Sequence, residues 1–199
     1  MIHPMTPVKP LADILSAMPS KTEADIALVT KAYEFSAEAH KEQKRYSGEP
    51  YFTHTAEVGF SLAEIGMDAP TIAAGLLHDT MEDAGATAET IGSEFGEEVL
   101  SLVRGVTKLG ALRYHGMERH TESLRKLFAA TAEDLRVLII KLMDRLHNAR
   151  TLEHVPRDDK RKRIALETLE IYAPIADRLG MSVAKQELDA EFLEDGSFF

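Results

Sequence analysis

The residues best suited to chemistry are gathered in Leu76-Leu77-His78-Asp79-Thr80-Met81-Glu82-Asp83, an apolar run that ends in a histidine and three carboxylates. Imidazole and carboxylate groups are ligands for divalent metals. A carboxylate beside an activated water can accept its proton. The chemistry indicated is metal-assisted hydrolysis. Adjacent side chains on a regular helix diverge by about 100°. His78 and Asp79 therefore meet at one ion only above a helix end or along a shared flank. Glu82 lies four residues beyond His78 and shares its face if the helix continues. Two more ligands must come from elsewhere, and His54 and Asp144 are the best placed. His54 opens a helix, and Asp144 interrupts a largely apolar one, where a buried carboxylate needs a partner. Two histidines and two aspartates suit manganese, iron, zinc or magnesium.

Helices are the elements that must position these groups. Apolar residues recur at helical spacing from Thr22 to about His40, and from His54 to Ile65, where Gly66 is the stop. A helix with Pro70 in its first turn leads into the opening stretch. Thr87 caps a short helix to about Phe95, and Gly96 separates it from a helix ending at Lys108-Leu109-Gly110. Further helices are expected from about Thr121 to Thr131, through Leu135–Leu146, over 158–178 with a kink at Pro174, and over 181–193. No convincing β-alternating segment occurs. The expected fold is all-α, a bundle of roughly eight to ten helices. Four prolines mark residues 1–20 as a loosely ordered arm, apart from a short helix at Leu11–Met18, and 21–199 form the domain.

Bulk composition narrows the function. The 199 residues carry a net charge of -10 and no cysteine. The charge argues against nucleic-acid binding and requires a metal and a local basic patch for any anionic substrate. The absence of cysteine excludes a thiolate zinc site, and no apolar run is long enough to cross a membrane. A cytoplasmic location is expected, and a homo-oligomer stays open. The polar segment Lys41–Tyr51, read alone, is a solvated surface loop. Arg145 is expected to pair with an acid and His147 to serve helix packing or hydrogen bonding. His115, His120 and His154 are expected to be exposed.

The ordered set of a histidine, then His-Asp, then a distant aspartate is the pattern of the HD metal-dependent phosphohydrolases. Within that group, Arg45-Tyr46-Ser47-Gly48-Glu49-Pro50-Tyr51, His54, the stretch Leu76–Asp83, Gly105-Val106-Thr107-Lys108-Leu109, Ile140–Leu152 and Glu167–Ala176 resemble the hydrolase domain of the Rel/Spo alarmone enzymes. The resemblance implies an all-helical HD domain using Mn2+. Its reaction is removal of the 3′-pyrophosphate from guanosine tetra- and pentaphosphate, (p)ppGpp. It implies His54, His78, Asp79 and Asp144 as metal ligands, and Glu82 and Asp83 as the pair handling the attacking water. Arg45 matches a residue that stacks on guanine, with Tyr46 and Ser47 beside it. Lys108 matches a basic residue near the phosphates, and Asn148 and Thr151 match nucleotide contacts. Tyr46 stands where the family often has lysine, Thr55 where proline usually follows the histidine, and 113–123 matches poorly. The larger relatives continue into a synthetase domain beyond the point where this chain stops. The chain thus resembles a stand-alone small alarmone hydrolase or a hydrolase fragment. Two readings stand beside it: an HD hydrolase of another nucleotide, such as (p)ppApp or NADPH, and a module that binds alarmones without hydrolysing them.

Overall fold

Helix α4 (Ala69–Leu77) lies at the centre of the protein, because its sequence Ala-Pro-Thr-Ile-Ala-Ala-Gly-Leu-Leu has no polar face to offer water. Every residue of it except Pro70 is buried, as expected of a helix that is apolar all round. The computed structural model describes residues 7–110 and 134–193. The helix expected near Thr121–Thr131 and the segment 113–123 lie outside the described residues. Around α4 pack α2 (Glu23–Ala39), α3 (Phe52–Glu64), α6 (Ala88–Gly110) and α7 (Leu135–Arg150). A short α5 (Thr80–Asp83) follows α4, and α8 (Asp158–Glu167), α9 (Ala173–Arg178) and α10 (Ser182–Leu193) complete the C-terminal side. Among the described residues all regular elements are helical, and the one pairing of extended backbone is an isolated bridge between Lys44 and Pro50.

Local chemistry sets the ends of these helices. The Thr22 hydroxyl accepts the Asp25 amide at the start of α2, and Asp68 accepts the Thr71 amide at the start of α4. Such caps satisfy amides that have no partner inside the helix, worth about 1 kcal/mol each. Gly96 interrupts α6 with φ 86° and ψ 165°, a conformation closed to most residues with a side chain. The α3–α4 contact is unusually close. Gly59 faces Leu76, and Gly75 faces Leu62, with no room for a methyl group at either position. These two helices carry His54 and lead into His78.

The short helix expected at Leu11–Met18 is α1 (Leu11–Ala17); it packs on α3, and Ile14 and Met18 are buried in the core. Burying side chains of this size contributes about 1.5–3 kcal/mol each, which outweighs the prolines around the helix. The helix expected over 158–178 is helical throughout those residues, with a change of pitch inside it. A π-helical turn, Thr168–Tyr172, separates α8 from α9. Pro174 has no amide hydrogen and its ring crowds the preceding turn; the wider turn accommodates both.

Candidate active site

Three elements converge on one buried cluster. His54 comes from the first turn of α3, His78 and Asp79 from the turn between α4 and α5, and Asp144 from the middle of α7. Of the two arrangements the sequence allowed, a helix end or a continued helix, the structure has the helix end. Helix α4 stops at Leu77, and Asp79 sits at φ -97°, ψ -5° before α5 begins. The Thr80 hydroxyl holds this break by donating to the Leu77 carbonyl at 2.7 Å. The break lets two adjacent side chains converge, with His78 Nε2 3.1 Å from Asp79 Oδ2. His54 Nε2 lies 3.2 Å from Asp144 Oδ1 and 3.6 Å from Asp79 Oδ2, and His78 Nε2 lies 3.8 Å from Asp144 Oδ1.

These spacings fit a metal. Ligand atoms about 2.0–2.2 Å from one ion stand about 3–3.6 Å apart around it. His54, His78 and Asp144 each offer a buried ligand atom within 4.8 Å of the others. The His78 Nδ1 hydrogen is donated to the Gly75 carbonyl at 2.7 Å. That leaves Nε2 directed into the cluster, where this buried atom has no hydrogen-bond partner of its own. Orienting a ligand imidazole through its other nitrogen is the usual support of a metal site. Burial opposes charge on His78, but Asp79 and Asp144 outweigh it and push the ring up to about 10. Burial, with Arg45 and His78 nearby, holds His54 below the usual histidine range. Burial would raise the Asp79 and Asp144 carboxyls, yet His78 for the first and Lys141 for the second keep both ionised.

Asp144 is supported along its own helix. Lys141 Nζ lies 2.5 Å from Asp144 Oδ2, and Asn148 Nδ2 donates to Oδ1 at 2.5 Å. Lys141 is thus committed to Asp144. Glu82 and Asp83 follow on α5. Burial, together with Asp79 and Asp83, raises the Glu82 carboxyl. An ideal Cβ on Gly110 would stand 3.6 Å from Glu82 Oε2 and 3.7 Å from Lys141 Nζ, so the end of α6 abuts the site. Lys108, two residues earlier, is exposed and is not among the residues lining the cavity described next.

A cavity of about 700 Å³ opens beside the cluster, lined by Asp83 and Tyr51 and by Arg45, Asn148 and Thr151. The 41–51 segment is the exposed surface loop expected, but it is held by internal backbone hydrogen bonds. Arg45 and Glu49 are joined by a backbone hydrogen bond of 2.9 Å, as are Tyr51 and Gln43. Arg45 Nη2 donates to Asn148 Oδ1 at 2.9 Å and to Thr151 Oγ1 at 2.8 Å. The guanidinium is thereby tied to the end of α7. Leu152, Val155 and Ile164 supply an apolar wall. Tyr46 is 64% exposed at the rim, with Lys160 Nζ 5.3 Å from its ring centroid. The Ser47 hydroxyl donates to Glu49. Arg145 pairs with Glu167 at 3.4 Å and lies over the Tyr172 ring, as an acid-paired arginine should. Of the histidines expected to be exposed, His154 is half-buried at 32% side-chain exposure, and His115 and His120 lie outside the described residues.

Sequence reasoning missed Tyr51 as a site residue. Its hydroxyl lies 2.7 Å from Asp79 Oδ2 and 3.0 Å from Asp83 Oδ2, bridging the two halves of the opening stretch. Its ring stacks on His40 at 4.8 Å. A signal was present: Tyr51 precedes His54 by three residues at a helix start, so the two share a face. Gln43 was missed as well; its amide donates to the Asp83 carbonyl at 2.6 Å.

This helical architecture, with its paired histidines and aspartates, is that of the HD domain, and the HD domain family model matches residues 32–182; the chain belongs to that family. It is 51% identical over 179 residues to an Aquifex aeolicus protein named guanosine-3′,5′-bis(diphosphate) 3′-pyrophosphohydrolase, covering 90% of this chain and 25% of that protein. It is 49% identical over 170 residues to a Brucella melitensis GTP pyrophosphokinase rsh, covering 85% of this chain and 22% of the relative. The chain therefore spans about a quarter of the length of these curated relatives. A solved structure described as a metazoan ortholog of SpoT that hydrolyzes ppGpp superposes with a TM-score of 0.66 at 26% identity, covering 87% of this chain and 97% of that one.

Proposed function

We propose that this chain is a Mn2+-dependent hydrolase that removes the 3′-pyrophosphate of (p)ppGpp, releasing pyrophosphate and GDP or GTP. The observation that carries the reading is one juxtaposition. A buried cluster of two imidazoles and two carboxylates adjoins Asp83 on the wall of a cavity of about 700 Å³ that also holds Arg45. The Aquifex aeolicus relative and the SpoT ortholog structure carry the same activity in their descriptions. Relatives named pyrophosphokinases match this chain over about a fifth of their length, and in this chain the HD domain fills most of that match.

His54, His78, Asp79 and Asp144 hold the ion, which when bound supplies Lewis-acid activation of water and phosphoryl oxygen. Glu82, with its raised carboxyl, accepts the proton of the attacking water. Asp83 orients that water from the cavity wall. The bond broken joins the ribose 3′-oxygen to the pyrophosphoryl phosphorus; water oxygen bonds to phosphorus, and the 3′-oxygen leaves as a hydroxyl. Arg45 stacks on guanine, anchored by Asn148 and Thr151. Tyr46 and Ser47 border the base, and Lys108 offers charge to the phosphates from the end of α6.

The test is direct. The purified chain is incubated with ppGpp and Mn2+, and the products are separated by anion exchange. GDP and pyrophosphate in equal amounts are expected; an intact substrate under these conditions would refute the reading.

A further inference from the structure

His147 lies inside the protein, 93 residues from His54 in sequence, yet the two Nδ1 atoms are 2.9 Å apart. Both rings are buried, with His147 7% and His54 1% exposed. Two imidazole nitrogens at this distance must share one proton. With two they would repel, and with none their lone pairs would face each other. The position of that proton decides what His54 presents at its other nitrogen. If Nδ1 of His54 carries it, Nε2 directs a lone pair toward Asp79 and Asp144. If His147 carries it, Nε2 of His54 holds a hydrogen instead and the ring cannot ligate through it.

We infer that His147 is a positioning residue for the metal centre: its Nδ1 accepts the His54 Nδ1 hydrogen and thereby holds the His54 Nε2 lone pair toward the ion. The inference rests on the metal-centre reading above. It places two different supports behind the two histidines. His78 donates to a backbone carbonyl at Gly75, whereas His54 donates to a neutral ring. A carboxylate in place of His147 would add a third anion to Asp79 and Asp144; an imidazole accepts the hydrogen without adding charge. The fold supplies this partner through the α3–α7 contact. On α7, His147 follows Asp144 by three residues, so ligand and support arrive on neighbouring positions of one helix face.

The experiment compares His147→Leu with His147→Asn, whose side-chain oxygen falls near the Nδ1 position and can accept the same hydrogen. Mn2+ affinity is measured by titration calorimetry, with thermal melting of the ion-free proteins alongside. His147→Leu is expected to weaken Mn2+ binding about 10- to 100-fold, and His147→Asn to return it to within a few-fold of the parent. Equal weakening by both variants, or Mn2+ binding by His147→Leu within twofold of the parent, would overturn the inference. Should His147→Leu fail to fold, the parent protein loaded with diamagnetic Zn2+ decides the matter by long-range nitrogen–proton correlation on His54. A protonated Nδ1 supports the inference and a bare Nδ1 refutes it. A parent protein that binds no divalent ion at all would refute the metal-centre reading itself, which is a different outcome.

Discussion

Replacing Tyr51 with phenylalanine deletes one oxygen and leaves the aromatic ring in place. That oxygen stands 2.7 Å from Asp79 and 3.0 Å from Asp83, both carboxylates of the site. A hydrogen bond to a charged group contributes about 1.5–3 kcal/mol, and about 1.4 kcal/mol corresponds to a factor of ten. Removing this bridge should therefore cost about 10- to 100-fold in function. The loss should appear in two places, because the proposed mechanism gives Asp79 to the ion and Asp83 to the water. Mn2+ affinity and kcat should both fall, while KM for ppGpp changes little. The ring keeps its stacking on His40, so the melting temperature of the ion-free protein should be nearly unchanged. Calorimetry with Mn2+, a pyrophosphate-release assay and a thermal melt together make the test. Parent-like kcat and Mn2+ affinity in Tyr51→Phe would refute the claim that this hydroxyl organises the site; a large fall in melting temperature would show that it acts through stability instead.

Asp83→Asn should abolish turnover while leaving nucleotide binding nearly intact, as read by equilibrium dialysis against activity; retained turnover would remove Asp83 from the mechanism. Gly75→Ala would drive a methyl group into Leu62. Overpacking costs about 1–3 kcal/mol, and the better helix propensity of alanine offsets about 1 kcal/mol of it. A lowered melting temperature is expected, and an unchanged or raised one would contradict the close α3–α4 contact. The raised Glu82 carboxyl must be ionised to accept a proton. The rate should then decline as pH falls through its pKa, above the ordinary carboxylate range, and Glu82→Gln should remove this limb together with most of the activity. A profile whose acid limb is unchanged in residual Glu82→Gln activity would assign the base elsewhere.

Much of the fold was legible because its punctuation is local. Thr22, Gly66, Pro70 and Gly96 each act within one turn of helix, and the helices begin, end or break beside them. The His-Asp pair was legible because polar residues ending an apolar run have few structural reasons to be there. What escaped depends on contacts remote in sequence or on small changes of backbone. The break between α4 and α5 is a change of Asp79 torsions that no periodicity announces. The short α1 was expected between its prolines, but only its packing on α3 shows Ile14 in the core. The anchoring of Arg45 escaped because Asn148 and Thr151 stand more than a hundred residues away. Arg145 was read correctly, since a buried cation must find an acid, and Glu167 is that acid.

The central claim is that a metal held by His54, His78, Asp79 and Asp144 serves the hydrolysis of a guanosine alarmone. The measurement that tests it most directly follows release of GDP and pyrophosphate from ppGpp before chelation, after chelation, and after Mn2+ is returned, with the adenosine analogue alongside. Activity that disappears on chelation, returns with Mn2+ and favours the guanosine substrate is the predicted result. Full activity in the metal-free protein, or turnover of the adenosine analogue in preference to ppGpp, would contradict it.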